Sequence, residues 1–242
     1  MSALLSISGL KKSFGAVVVA DDTSFDIAQG EAVGILGPNG AGKTSLFNLI
    51  TGALGPDAGQ IAFAGQDISN TSAARRCKLG IARSFQVPQP FGGMTVFENA
   101  LVGAIEGAGL RGHEAEAHVL SILEDTGLLP KANVRAGALT LLERKRLEMA
   151  RALAAKPKLL LLDEIAGGLT DSECIALIDT IKRVHAGGTT IIWIEHVVHA
   201  LLAVVERLIV IDFGKKIAEG APKAIMESAE VREIYLGVDP DV

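Results

Sequence analysis

The stretch Gly37-Pro-Asn-Gly-Ala-Gly-Lys-Thr44 fits the pattern G-x-x-x-x-G-K-[ST] in full. It lies between an apolar run, Ala32 to Leu36, and a helical pattern, Ser45 to Ile50. Glycines at 37, 40 and 42 let the backbone turn its N–H groups inward around a polyphosphate, and the helix behind them points its positive end at the same anion. Lys43 would reach the β- and γ-phosphates, and the Thr44 hydroxyl would take one Mg²⁺ position. The expected nucleotide contacts are Gly37, Pro38, Asn39, Gly40, Ala41, Gly42, Lys43, Thr44 and Ser45.

A second group of candidates sits where apolar runs stop. Leu159-Leu-Leu-Leu-Asp163-Glu164 reads as a buried strand ending in two carboxylates, and ligands gather at the carboxyl ends of strands in open parallel sheets. Asp163 would hold Mg²⁺ together with Thr44, and Glu164 could orient and polarise a water against the γ-phosphate. Ile191-Ile-Trp-Ile-Glu195-His196 repeats the pattern with a histidine whose imidazole could bond the γ-phosphate and sense its presence. Gly80 to Gln86 reads as a strand whose end brings Gln86 to the site, and Phe14 could stack under a purine ring. Leu139-Thr140-Leu141-Leu142-Glu143 opens a helix with a capping box, S/T-x-x-E, between Thr140 and Glu143. The histidines at 113, 118, 185 and 199 have no matching carboxylate or cysteine spacing and read as surface residues.

These residues need a scaffold of alternating strands and helices. Strand patterns cover Leu4 to Leu10, Val17 to Ile27 with a break at Asp21-Asp22, Ala32 to Leu36 and Gln60 to Ala64; helical ones begin with Ser45 to Ile50 and Thr71 to Cys77. From Met94 to Lys156 strand signals stop and three helical patterns appear: Thr95 to Ile105, Glu114 to Thr126 and Thr140 to Ala155. From Lys158 the alternation resumes, which predicts a largely parallel sheet covered by helices.

Composition narrows the setting. The chain has 242 residues, is 49% hydrophobic with a mean hydropathy of +0.36, and carries a net charge of −5. That apolar excess points to surface covered by a partner, and the acidity argues against bulk binding to nucleic acid. Cys77 and Cys174 match no metal or redox spacing, so free thiols in a reducing compartment are expected. No run approaches the roughly 18 apolar residues of a spanning helix, so a soluble, cytosolic chain is expected.

With the phosphate loop, Gln86, the capped helix, Asp163-Glu164 and His196 in this order, the chain resembles the ATP-binding subunits of ABC transporters. It is most similar to the ATPases of branched-chain (hydrophobic) amino-acid importers, on Phe47 to Gly52, Gly80 to Gln86, Gly93 to Asn99, Ile194-Glu-His196 and the tail Glu233 to Gly237. The resemblance implies an α/β P-loop NTPase core (1–86 and 158–242) with an antiparallel β subdomain and an inserted helical subdomain, 87–157. It implies ATP and Mg²⁺ as ligands, with Phe14 stacking on adenine, Gln86 contacting Mg²⁺ and water, Glu164 as catalytic base and His196 as a switch. The signature stretch Leu139 to Glu143 would complete the phosphate loop of a second ATPase subunit, a copy or a paralogue, in a head-to-tail dimer. The implied partners are two membrane permease subunits and, indirectly, a solute-binding protein, with the ATPase on the cytoplasmic face of the inner membrane.

Two departures bear on activity. The family's usual Leu-Ser-Gly-Gly-Gln is replaced by Leu139-Thr-Leu-Leu-Glu143, and Ile165 stands where a proline commonly follows the glutamate, ahead of an unusual Gly168-Leu-Thr-Asp171 loop. An ATPase of a lipid or polysaccharide exporter, or a poorly hydrolysing regulatory ATPase subunit, is the alternative reading.

Overall fold

The computed structural model describes residues 3–236, so Gly237 of the tail stretch lies outside the described residues. Two sheets form. The first, antiparallel, has the order β2-β1-β4-β5, from β1 (Ala3–Phe14), β2 (Val17–Ala28), β4 (Ala58–Phe63) and β5 (Gln66–Asp67). The second has the order β10-β9-β3-β8-β7-β6, from β10 (Lys215–Gly220), β9 (Arg207–Asp212), β3 (Ala32–Leu36), β8 (Thr190–Ile194), β7 (Leu159–Asp163) and β6 (Ile81–Arg83). Every neighbouring pair in it is parallel except β9–β10. Strands β3, β7 and β8 are buried at every position, which is why they read as unbroken apolar runs rather than as alternation.

Helices α1 (Lys43–Thr51), α2 (Ala73–Leu79), α3 (Val96–Val102), α4 (Gly112–Asp125), α5 (Leu141–Ala154), α6 (Asp171–Ala186), α7 (Val198–Leu202), α8 (Pro222–Glu227) and α9 (Ala229–Leu236) complete the described chain with short turns between them. Two apolar clusters draw on the six-stranded sheet, and a third is built only from residues 96–154, including Val96, Ala100, Val119, Leu123, Leu147 and Ala150. Each fully buried Leu or Val there contributes on the order of 1.5–3 kcal/mol.

Two expectations change. Strand β2 is not broken at Asp21-Asp22; Asp22 takes φ 58° within the strand, opposite register shifts in β1, because aspartate tolerates the left-handed conformation a bulge requires. The helix expected over Thr95 to Ile105 stops at Val102 and continues as a π-turn, Gly103–Gly107. There α5 presses close: a Cβ on Gly103 would lie 2.3 Å from the Arg151 carbonyl oxygen. Arg76 of α2 is 1% exposed. Its guanidinium is buried and donates to the carbonyls of Leu49 and Ile50 at the end of α1, at 2.6 and 3.0 Å, and to those of Ser69 and Thr71. It thereby satisfies carbonyls that a helix end leaves without partners.

Candidate functional site

The parallel strands deliver their carboxyl ends to one edge of the sheet, and the candidate residues follow those ends. After β3 the chain turns through the Gly37–Thr44 loop into α1. Gly42 caps that helix with φ 100° and no side-chain cap, which leaves the first-turn N–H groups for an anion. A Cβ at Gly42 would lie 2.3 Å from the Val19 carbonyl oxygen, so only glycine fits. Lys43 is 6% exposed and its Nζ donates to the carbonyls of Gly37 and Pro38 at 2.7 and 2.9 Å. Burial pushes its ammonium below the usual lysine range, while Glu164 and Asp163 pull it back up. A phosphate oxygen could replace those carbonyls as its partner. The cavity here is lined by Val17, Val19, Asn39 to Ser45 and Glu164.

Asp163, at the end of β7, is 3% exposed. Its Oδ2 accepts from Arg83 at 2.5 Å, Arg83 also donates to Asn48 at 2.6 Å, and Asp163 Oδ1 has no hydrogen-bond partner. Burial raises the Asp163 carboxyl above the ordinary aspartate range, with Arg83 acting against it. Thr44, Arg83, Gln86 and Asp163 line a single adjoining cavity.

Glu164 lies one residue further on, with φ 47°. A non-glycine residue in that region costs about 1–3 kcal/mol and persists only where its surroundings enforce it. Its backbone N–H donates to the Ile194 carbonyl at 2.8 Å, which ties the end of β7 to the end of β8. Gln86 Nε2 donates to Glu164 Oε2, and His196 Nε2 lies 2.9 Å from Glu164 Oε1. Gln86, Glu164 and His196 thus meet, although 78 and 32 residues separate the two outer ones from Glu164.

Other candidates stand apart. Phe14 is 51% exposed at the end of β1, with Lys12 Nζ 5.4 Å from its ring centre, and it does not line the phosphate-loop cavity; its register partner Val17 does. None of Leu139, Thr140, Leu141, Leu142 and Glu143 lines that cavity either. The capping box forms: Glu143 N–H donates to Thr140 Oγ1 at 3.4 Å, and Thr140 N–H donates to Glu143 Oε2 at 3.0 Å. Lys131 pairs with the same carboxylate. Burial pushes the Glu143 carboxyl up, but bonds from Lys131 and Thr140 outweigh it and hold it low. Two histidines expected on the surface are half-buried instead: His118 Nε2 lies 3.2 Å from the Ala154 carbonyl and His185 Nε2 2.9 Å from that of Gly30.

Arg83 escaped the sequence reading. Arg83 had a signal, a lone cation inside the otherwise uncharged run Gly80 to Phe85.

Comparison with known proteins decides the family. The profile described as "ABC transporter" matches residues 20–167, and the high-affinity branched-chain amino acid transport ATP-binding protein LivG of Escherichia coli K12 is 33% identical over 97% of this chain and 98% of its own. The chain belongs to the ABC transporter ATP-binding family. As such a subunit it binds and hydrolyses ATP. A second profile, "Branched-chain amino acid ATP-binding cassette transporter", matches residues 215–241. The lipopolysaccharide export ATP-binding protein LptB of Acidithiobacillus ferridurans is 34% identical over 98% of each chain. Among solved structures, the ADP conformation of MJ1267, an ATP-binding cassette of an ABC transporter, superposes with a TM-score of 0.90 at 32% identity, covering 98% of this chain and 100% of that one. No described helix is long and apolar enough to cross a membrane.

Proposed function

We propose that this ABC subunit powers the uptake of branched-chain amino acids or similar small hydrophobic or carboxylate solutes, using a hydrolytic site on its own Gly37–Thr44 loop. The observation that carries the hydrolytic reading is the Glu164 carboxylate, bracketed by Gln86 and His196 and lining the cavity of the phosphate loop. Loop amides and Lys43 bind the phosphates, and Glu164 orients and polarises the attacking water. His196 holds Glu164 and responds to the γ-phosphate. Phe14 stacks on the adenine ring, and Val17 and Val19 line the cavity beside the phosphate loop.

Thr44, Gln86 and Asp163 would hold Mg²⁺. The orphaned Asp163 Oδ1 beside a hydroxyl and an amide oxygen suits a hard cation that takes oxygen ligands. When bound, the ion would neutralise charge between the β- and γ-phosphates. No cluster of three or more His, Cys, Asp or Glu residues suited to a metal occurs among the described residues, so phosphate and water oxygens would complete its shell.

In this reading residues 87–157 form a helical subdomain inserted between 1–86 and 158–242, and it carries the contact with two membrane permease subunits. The subunit sits peripherally on the cytoplasmic face of the inner membrane. Leu139 to Glu143 faces the nucleotide of a second ATPase subunit in a head-to-tail dimer. LivG and the profile over residues 215–241 favour import of amino acids over the export reading that LptB represents.

The test is ATP turnover as a function of protein concentration, with Glu164→Gln alongside. Turnover that rises with concentration and vanishes in a Glu164→Gln protein still binding ATP supports the reading; residual turnover above about a tenth overturns Glu164 as base. Uptake of labelled leucine by vesicles holding the permease pair tests the solute. Leucine-independent export activity would overturn that part.

A further inference from the structure

Glu195 is buried to 1% exposure between the loops that carry the hydrolytic residues, and the hydrolytic reading above gives it no task. Its Oε1 accepts from the backbone N–H groups of His196 and Val197 at 2.9 and 3.2 Å, and its Oε2 accepts from the N–H of Ala166 at 2.8 Å. One carboxylate therefore bridges the turn after β7 and the turn after β8. A buried carboxylate with three backbone donors is well satisfied, and a buried donor left without its partner costs more than the bond's net worth.

The position of those bonds matters. Glu164, with φ 47°, stands two residues before Ala166, and His196 is the neighbour of Glu195. The strained turn is fixed on its two sides: by the Glu164 N–H on the Ile194 carbonyl and by the Ala166 N–H on Glu195. The opposite end of the Glu164–His196 contact is fixed by the same carboxylate through the His196 N–H. On the side of α5, Lys145 is buried to 3% exposure. Burial lowers its ammonium below the usual lysine range, and the charges of Glu195 and Glu164 act against that lowering.

We propose that Glu195 is a positioning residue for ATP hydrolysis: it clamps the Glu164 turn and the His196 turn in one mutual geometry. The proposal rests on Glu164 being the catalytic base.

The test is Glu195→Gln in the full chain. Glutamine keeps the shape but turns one of the two accepting oxygens into a donor, so it faces N–H groups on one side. We expect kcat to fall at least tenfold, with KM and the ATP dissociation constant within twofold of wild type. Hydrogen exchange should accelerate together in the segments 164–170 and 194–199 and remain unchanged in 37–45. Glu195→Asp, which keeps the charge and folds in its place should the amide not, should recover part of the turnover. On a His196→Ala background, Glu195→Gln should add less than twofold. Unchanged turnover per folded molecule, acceleration of exchange in only one segment, or a full tenfold addition on His196→Ala overturns the clamp. If Glu164→Gln itself retains turnover, the base assignment fails; if it abolishes turnover and Glu195→Gln does not, only the clamp fails.

Discussion

His196 Nε2 lies 2.9 Å from Glu164 Oε1, and one strand-end bond, Glu164 N–H to the Ile194 carbonyl at 2.8 Å, ties the two backbones together behind them. Side chain and main chain therefore hold the pair in parallel. The histidine is more exposed than the glutamate, at 37% against 17%.

From that pair follows the first prediction. His196→Ala leaves Glu164 with Gln86 alone and should lower kcat by about 10²-fold, the scale of a lost acid–base or orienting group. The ATP dissociation constant should stay within twofold, since the loop donors are untouched. Steady-state turnover with calorimetric ATP titration separates the two.

Gly42→Ala should eliminate ATP binding. Its φ of 100° costs an alanine about 1–3 kcal/mol of strain. In addition the new Cβ would lie 2.3 Å from the Val19 carbonyl, so β2 and the loop must separate. Loss of calorimetric heat on ATP titration, with a lowered melting temperature, is the expected result.

Arg83→Met should be more damaging to stability than to nucleotide contact. Asp163 would keep a buried charge with neither oxygen paired, and removing one partner of a buried ion pair costs about 3–5 kcal/mol. Adding Asp163→Asn to Arg83→Met should recover part of that loss. Urea unfolding of the three variants gives the comparison.

Glu148 of α5 supplies a pH prediction. It is 2% exposed, accepts from the Gln89 N–H at 3.0 Å and lies 3.3 Å from Arg151. Burial raises its carboxyl above the ordinary 4.5, against the pull of Arg151 and Gln89. A raised carboxyl contributes stability that is complete below the unfolded value and is lost as pH rises through the folded one. Relative to Glu148→Gln, wild type should therefore lose stability as pH climbs from 4.5 upward. Urea midpoints across that range test the sign, and a difference that grows in favour of wild type would refute it.

The sequence made the phosphate loop legible because phosphate binding demands fixed residue types at contiguous spacing. Asp163, Glu164 and His196 were legible as polar residues ending buried strands. Arg83's bond to Asp163 and Glu195's bond to Ala166 were not, because both depend on β6, β7 and β8 lying side by side, an order that no local spacing encodes. Asp21-Asp22 misled for the opposite reason: a left-handed aspartate serves a turn or a bulge equally, and only the partner strand decides. The half-buried His118 and His185 find backbone carbonyls 36 and 155 residues away, which lone histidines in a sequence do not advertise.

The buried Arg76 has a mechanical consequence. Helix α1 meets phosphate at its first turn and is anchored at its last, where the guanidinium grips the Leu49 and Ile50 carbonyls and, through Ser69 and Thr71, the segment that leads into α2. A rod pinned at its far end cannot recoil along its axis when a polyanion docks at the near one.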